Sequence, residues 1–288
     1  MNLADVRQYY AEEIRTVANI QSGELVKAFA KVPREKFLGA GPWYYAAPDL
    51  LTGGVKYRIT ENNDPIHLYH NVPIAIDIER DLPNGQPATI GAFIDNLDLR
   101  DGDSVLHIGC GTGYFSAVMA EIVGEKGQVT ALEIEPDLAE QASHNLSYFS
   151  QVKVVHGDGA SFDSGPVDGI LVNAGATAPL TIWLDNLKPE GRLVVPLTIS
   201  QAPNRMGSGM LLSVKREKEG YKARFLLPVT IYHCFGGRDD EANNNLRASI
   251  MQGKWKDVQS LRRDSHEALE SCCLHGENIC LSSMNISE

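Results

Sequence analysis

The 288-residue sequence has no uninterrupted apolar run that approaches the roughly 18 residues a membrane-spanning helix needs, so a helical membrane protein is not expected. It is also short of positive charge. There are 26 Lys and Arg against 37 Asp and Glu, giving a formal net charge of -11 and a pI near 5.2. Nucleic-acid backbones call for a basic surface, so nucleic acid is not expected as the main partner. The opening Met-Asn-Leu-Ala-Asp-Val-Arg-Gln is polar and lacks the apolar stretch of a secretory signal, which makes a cytoplasmic location the expectation. Internal repeats, low-complexity segments and linkers are absent. The five cysteines, Cys110, Cys234, Cys272, Cys273 and Cys280, are an odd number, which argues against a disulfide framework. Cys272-Cys273-Leu274-His275 followed by Cys280, with His233-Cys234 upstream, has the pattern C-C-x-H-x4-C. That is not a standard zinc spacing, so the tail reads as packed thiols and no metal is expected. What is present is a globular composition, 43% hydrophobic and 22% charged, in a chain long enough for one α/β domain of ordinary core size plus appendages.

The most informative segment is Val105-Leu-His-Ile-Gly-Cys-Gly-Thr-Gly-Tyr-Phe115. It reads as a short apolar strand, a glycine turn and a helix opening near Tyr114. Gly109, Gly111 and Gly113 stand at every second position. Glycine permits positive φ and close approach of backbone N–H groups to a ligand. The positive end of the helix faces the same spot. A nucleotide-type pocket at the carboxyl end of a strand follows. The dinucleotide fingerprint G-x-G-x-x-G does not fit, because Tyr114 fills the place of its third glycine. An NAD-dependent dehydrogenase is therefore opposed by the spacing.

The following segments repeat a strand–helix pattern about every 20–30 residues, which indicates a parallel α/β sheet. Gln128–Ile134 is a second apolar run whose tip carries Glu133, twenty residues after Gly113. An acid there can accept two hydrogen bonds from ribose hydroxyls. Residues Pro136–Leu146 look helical, with Leu138, Ala142 and Leu146 at four-residue steps. Gln151–Gly159 is a third strand running into Gly157-Asp158-Gly159, where Asp158 can accept from an exocyclic amine such as adenine's. Asp168–Gly175 is a fourth strand, apolar as a strand buried on both faces should be, and Leu187–Pro196 contains a fifth. Met210–Arg216 and Ala223–Tyr232 alternate like antiparallel strands that close the sheet. Tyr10, Ile14, Val17 and Ile20 mark one or two helices in residues 2–31, and residues 239–262 look helical again. The acid run Asp239-Asp240-Glu241 reads as a helix N-terminus facing water.

G-x-G-x-G after a strand resembles the first motif of S-adenosylmethionine-dependent methyltransferases. From about Asn2 to Pro196 the order of pieces resembles protein-L-isoaspartate O-methyltransferases: Val105–Tyr114, Glu133, Gly157-Asp158-Gly159, Val167-Asp168-Gly-Ile and Leu187–Pro196. Phe29-Ala-Lys-Val-Pro-Arg-Glu-Lys-Phe37 looks like that family's helix followed by "VPRE-F", and Leu68–Ile76 resembles its "AY-D-PLPI" segment. The resemblance implies a Rossmann-like, doubly wound α/β fold of the class I methyltransferase type. Its sheet is mostly parallel and seven-stranded, with N-terminal helices and a C-terminal extension. It divides the chain into a helical and cap region (1–83), the S-adenosylmethionine-binding core (84–232) and a C-terminal helical, Cys/His extension (233–288).

Three departures stand out. Pro83-Asn84-Gly85-Gln86-Pro87 places Gly85 where the family's Ile-Ser-Gln/Ala-Pro carries a serine near the acceptor carboxylate. His107 stands where many of the class have an acid, and the tail after about Gln201 is long. The resemblance implies S-adenosyl-L-methionine as cofactor and S-adenosyl-L-homocysteine as product. Gly109, Cys110, Gly111 and Gly113 would shape the turn around the methionine part. Glu133 and Ile134 would face the ribose, Asp158 and Gly159 the adenine, and Asn173 the methyl donor. Asn84, Gly85, Gln86 and Pro87 would line the acceptor side, or form a tight turn chosen for its backbone. No catalytic triad is expected, since a carboxylate acceptor is already ionised at pH 7. Three functions stay open: carboxyl O-methylation of a peptide or protein, including an isoaspartyl site; methyl transfer to another peptide side chain or a small metabolite; and cofactor binding without transfer. The oligomeric state is left open.

Overall fold

The computed structural model describes residues 2–49, 54–200, 206–276 and 278–286; residues 201–205, where the tail begins, lie outside the described part. In chain order the elements are α1 (Leu3–Ala18), α2 (Gly23–Lys31), a 3-10 turn (Arg34–Phe37), β1 (Tyr44–Asp49), β2 (Gly54–Ile59), β3 (Ala75–Asp77), β4 (Leu82–Pro83), α3 (Pro87–Asp95), β5 (Ser104–Ile108), α4 (Tyr114–Val123), β6 (Gln128–Glu133), α5 (Pro136–Asn145), β7 (Val152–His156), β8 (Val167–Val172), α6 (Thr181–Asp185), β9 (Leu187–Ser200), β10 (Met206–Glu217), β11 (Gly220–Tyr232), α7 (Asp240–Met251), β12 (Ser260–Arg262), β13 (Cys272–His275) and β14 (Cys280–Ser282). They fall into two compact units.

The first unit comprises Met1–Gly102, Cys110–Ala131 and Glu135–His156. Asn2 opens α1 with a capping box: its side chain accepts from Asp5 N–H at 3.0 Å, and Asp5 returns the bond at 3.2 Å. The helical reading of residues 2–31 resolves into α1 and α2. Tyr10, Ile14 and Ile20 are buried as the spacing requires, while Val17 faces out. Helices α1, α2, α3 and α4 pack together around Tyr10, Ile14, Leu25, Phe29, Phe93 and Tyr114. The rings meet edge to face: Tyr10 lies 6.2 Å from Phe29, and Phe37 lies 5.7 Å from Tyr114. Hairpin β1–β2 and the short pair β3–β4 complete this unit.

The second unit comprises Asp103–Gly109, Leu132–Ile134 and Gly157–Glu288. Its strands run β13-β14-β12-β11-β10-β9-β8-β5 in hydrogen-bonded order. β5 pairs parallel with β8, and β8 parallel with β9, in the register Leu106↔Ile170↔Leu193. All three side chains are fully buried, each stabilising by about 1.5–3 kcal/mol. Asp168 anchors the start of β5 by accepting from Ser104 N–H and Oγ, both at 2.8 Å, and from Lys188 Nζ at 2.7 Å. β10 pairs antiparallel with β9 and β11, as the alternation of their sequences indicated. Parallel β5, β8 and β9 with antiparallel β10 and β11 beside them agree with the expected fold class. The tail adds three more short strands to the antiparallel side. The helical reading of 239–262 holds only for α7; a Gly253 φ of +73° follows the helix and the chain returns as β12. Asp239 caps α7 by accepting from Ala242 N–H at 2.7 Å, so the acid run is the helix start. Among the described residues no helix is long and apolar enough to cross a membrane.

Candidate active site

The tips of β5, β6 and β8 converge in the second unit. Gly109, just past β5, donates its N–H to Leu132 O at 2.8 Å on β6. Asn173, just past β8, donates its N–H to Ile108 O at 2.8 Å and approaches Gly109 O with Nδ2 at 3.4 Å. Gly157 N–H reaches Glu133 O at 2.9 Å, which ties the Gly-Asp-Gly turn to the tip of β6. These bonds place Gly109, Glu133, Ile134, Asp158, Gly159 and Asn173 at the carboxyl ends of one set of strands, the location where open α/β sheets bind ligands.

Two of the glycines are dictated by space and backbone. Gly109 has a φ of +76°, and a Cβ there would stand 3.3 Å from Asn173 O. A Cβ on Gly159 would come within 2.3 Å of Ile108 Cγ2, so only glycine lets this turn lie on the end of β5. Gly159 O in turn accepts from the buried Trp183 indole at 2.8 Å. Glu133 is buried at 6% exposure, and its Oε1 accepts the Ile134 N–H at 2.9 Å. Asp158 Oδ1 accepts from Ala160 N–H at 2.9 Å.

The sequence reading missed the loop that follows β11. A Cβ on Gly236 would meet Asp158 Oδ2 at 2.8 Å, so the Gly236-Gly237 turn runs directly against the Gly-Asp-Gly turn. The adjacent glycines were the available signal of close approach. Arg238 holds this loop, donating to Gly175 O at 2.9 Å, Thr198 O at 3.0 Å and Ser200 Oγ at 2.8 Å. Burial pushes the Cys234 thiol up to about 11, with the Asp158 charge adding to it, so Cys234 is a packing thiol and not a nucleophile.

The remaining candidates belong to the first unit. Cys110, Gly111 and Gly113 continue the glycine turn; Thr112 O accepts from Asn145 Nδ2 at 3.0 Å, and a Cβ on Gly113 would strike Leu146 Cδ1 at 2.7 Å. α4 starts directly after Gly113 without a side-chain cap. Asn84–Pro87 lies beside this segment: a Cβ on Gly85 would stand 3.5 Å from Phe115 Cε2 in the first turn of α4, and one on Gly111 would lie 3.6 Å from Ile76 Cδ1. Asn84 Oδ1 and the Gln86 amide are engaged within the protein, while Asn84 Nδ2 is buried without a hydrogen-bond partner. Asn84 Oδ1 accepts from Arg34 at 3.2 Å and from Ile74 N–H at 3.1 Å. Gln86 donates to Asn71 O at 3.2 Å and accepts from Thr89 Oγ1 at 3.1 Å. Gly85 has a φ of +85°.

Arg34, the arginine of the "VPRE" run, explains why this turn is fixed. Its guanidinium is fully buried and donates to Leu68 O at 2.6 Å, His70 O at 3.1 Å, Val72 O at 2.9 Å and Asn84 Oδ1. It also lies 5.9 Å from the centres of both the Tyr10 and Tyr114 rings. The planar fork satisfies four acceptors at once and sets the position of Asn84.

Comparison with known proteins agrees with this geometry. The model of the family "Protein-L-isoaspartate(D-aspartate) O-methyltransferase (PCMT)" matches residues 59–224. A protein-L-isoaspartate O-methyltransferase of Ignicoccus hospitalis is 32% identical over 215 residues, 73% of this chain and 88% of that protein. Protein-L-isoaspartate O-methyltransferase 2 of Archaeoglobus fulgidus is 33% identical over 201 residues, 68% of this chain and 80% of its own. A solved Plasmodium falciparum structure assigned to the same enzyme, in complex with S-adenosyl-L-homocysteine, superposes with a TM-score of 0.59 at 18% identity, covering 80% of this chain and 98% of that one, and so supports the fold. With the motifs in order, the strand tips converged and the family model spanning the core, the chain belongs to the protein-L-isoaspartate(D-aspartate) O-methyltransferase family and is an S-adenosylmethionine-dependent carboxyl methyltransferase.

Proposed function

We propose that this protein transfers a methyl group to a carboxylate of a peptide or protein, with the free α-carboxylate of an isoaspartyl residue as the acceptor. The observation that carries the proposal is the meeting of Gly109, Glu133, Asp158 and Asn173 at the strand tips of a chain with this family's motifs in order. The cofactor supplies an electrophilic sulfonium methyl. The residues present fit it: Gly109 keeps side-chain bulk away from the site, and Glu133 offers a carboxylate in a buried setting. Glu133 and Ile134 hold the ribose, Asp158 and Gly159 the adenine, and Asn173 stands at the methyl-donor end.

A carboxylate acceptor is ionised at pH 7 and needs no general base. Its oxygen forms the new O–C bond as the S–C bond breaks, leaving a methyl ester and S-adenosyl-L-homocysteine. The protein's work is to orient the reactants and exclude water, effects that supply roughly 7–11 kcal/mol of a barrier. Asn84–Pro87 provides the acceptor turn, with Asn84 Oδ1 and the Gln86 amide bonded within the protein and Asn84 Nδ2 buried without a partner.

Gly85 supports a second reading, in which the same chemistry is aimed at a different carboxylate, because its left-handed conformation differs from what a serine would favour. A cytoplasmic location is part of the proposal, supported by five cysteines that are all free thiols. The chemistry is tested by the alkali lability of the transferred methyl. Base-labile label on acceptor peptide supports an ester. Label that survives base, as an ether or N-methyl group would, contradicts carboxyl transfer.

A further inference from the structure

The tail gathers four side chains that the methyltransferase chemistry does not use. His266, Cys272, His275 and Cys280 each present one ligand atom, and these four atoms all lie within 4.8 Å of one another. The backbone explains how. β13 and β14 form an antiparallel hairpin with His275 directly opposite Cys280, so the two share a face. Strict alternation would send Cys272, three residues before His275, to the other face. The β-bulge between Cys272 and Leu274 adds one residue and turns Cys272 back to the His275 side. Cys273, inside the bulge, stays outside the cluster. His266 arrives from the loop after β12, whose Arg262 is registered opposite Cys280. The resulting spacing is H-x5-C-x2-H-x4-C. The sequence pattern already showed Cys272, His275 and Cys280 but not His266, six residues before Cys272, and the adjacent Cys273 obscured the spacing.

The hydrogen bonds orient these groups as ligands. His266 Nδ1 lies 2.9 Å from Asp264 O and 3.3 Å from its carboxylate, while Nε2 faces Cys272 Sγ at 3.5 Å. A histidine that donates Nδ1–H to a carbonyl presents the Nε2 lone pair inward, the arrangement of metal-ligating histidines. Leu269 N–H points at Cys272 Sγ at 3.2 Å. His275 Nδ1 is buried without a hydrogen-bond partner. The two imidazole rings are 4.9 Å apart, near enough to share one ion. With Zn–S about 2.3 Å and Zn–N about 2.0–2.1 Å, tetrahedral ligand–ligand edges are roughly 3.3–3.8 Å, so side-chain rotations of about an ångström close the shell. Two thiolates and two imidazoles select zinc over hard cations, and their charge of minus two neutralises it.

We propose that His266, Cys272, His275 and Cys280 bind one Zn²⁺ in a closed, four-ligand structural site. The ion fastens the β13–β14 hairpin to the loop that follows β12. Binding releases the two thiol protons, and no ligand position is left open for chemistry.

The test is elemental analysis of the untagged full-length protein after exposure to Zn²⁺ and dialysis, together with cobalt substitution. The expected result is a single zinc per chain, lost in Cys272→Ser and in Cys280→Ser but retained in Cys273→Ser. Cobalt should give the visible bands of a tetrahedral ion and a thiolate charge-transfer band. The cobalt spectrum of the unmodified protein stands by itself should a variant fail to fold. Absence of retained zinc, zinc unchanged in both ligand variants, a cobalt spectrum without the thiolate band, or a Cys272–Cys280 disulfide in the purified protein would each overturn the proposal.

Discussion

Gly85 adopts a φ of +85°, and a Cβ at that position would stand 3.0 Å from Ile90 Cγ1. Restoring the family's serine is therefore not a neutral change. Gly85→Ser is expected to destabilise by about 1 kcal/mol from backbone strain, read as a lower denaturation midpoint in urea. An unchanged midpoint would show that the turn relaxes freely. His107 is a different kind of residue. It is fully buried on β5, and desolvation pushes its pKa down to about 3 from the ordinary 6.5. The unfolded chain takes up this proton below about pH 6.5 and the native chain only near pH 3. The stability contribution is thus complete above pH 6.5 and is lost as pH falls toward 3, by about 1.4 kcal/mol per pH unit. In His107→Gln that part of the slope should vanish; an unchanged pH dependence of unfolding would contradict it. Glu133→Gln keeps the oxygen that accepts from Ile134 N–H but removes the charge. Cofactor affinity by calorimetry should fall roughly tenfold with the melting temperature preserved. Equal affinity would remove Glu133 from the ribose contact.

At the scale of elements, the loop before β3 depends on one side chain from the turn after α2. Arg34→Met would leave the carbonyls of Leu68 and Val72 without their donor, while His70 O would keep only the Val72 N–H and Asn84 Oδ1 only the Ile74 N–H. The expected cost is on the order of 3 kcal/mol or more, and Arg34→Lys should recover only part of it, since an ammonium cannot fork. Full stability in either variant would refute the clamp. β5 and β8 were legible in the sequence because both are buried on two faces and read as apolar runs. The glycine turn was legible because its backbone and packing admit little else. The clamp on Asn84 was not legible, because its engagement by Arg34 spans 50 residues of chain. β12 and β14 have three residues each and β13 four, too few for any period to register. Their bulge, which sets the facing of Cys272, leaves no mark in composition.

At the scale of the molecule, each unit has its own packed interior, and the whole carries a net charge of -11. Such a field concentrates cationic ligands and repels anionic ones. Acceptor peptides flanked by lysine should therefore show a lower KM than those flanked by glutamate. The difference should shrink as salt rises from about 0.1 M toward 1 M, where the screening length falls from about 10 Å to about 3 Å. A gap that ignores salt would place the preference in direct contacts instead. The central claim is methyl transfer to an isoaspartyl carboxylate. Its most direct test is the release of S-adenosyl-L-homocysteine with an isoaspartyl peptide beside the same peptide carrying ordinary aspartate. The account predicts turnover with the isoaspartyl form and little with the aspartyl form. No turnover with either, by protein that binds the cofactor, would contradict it and assign the Gly85 turn to another acceptor.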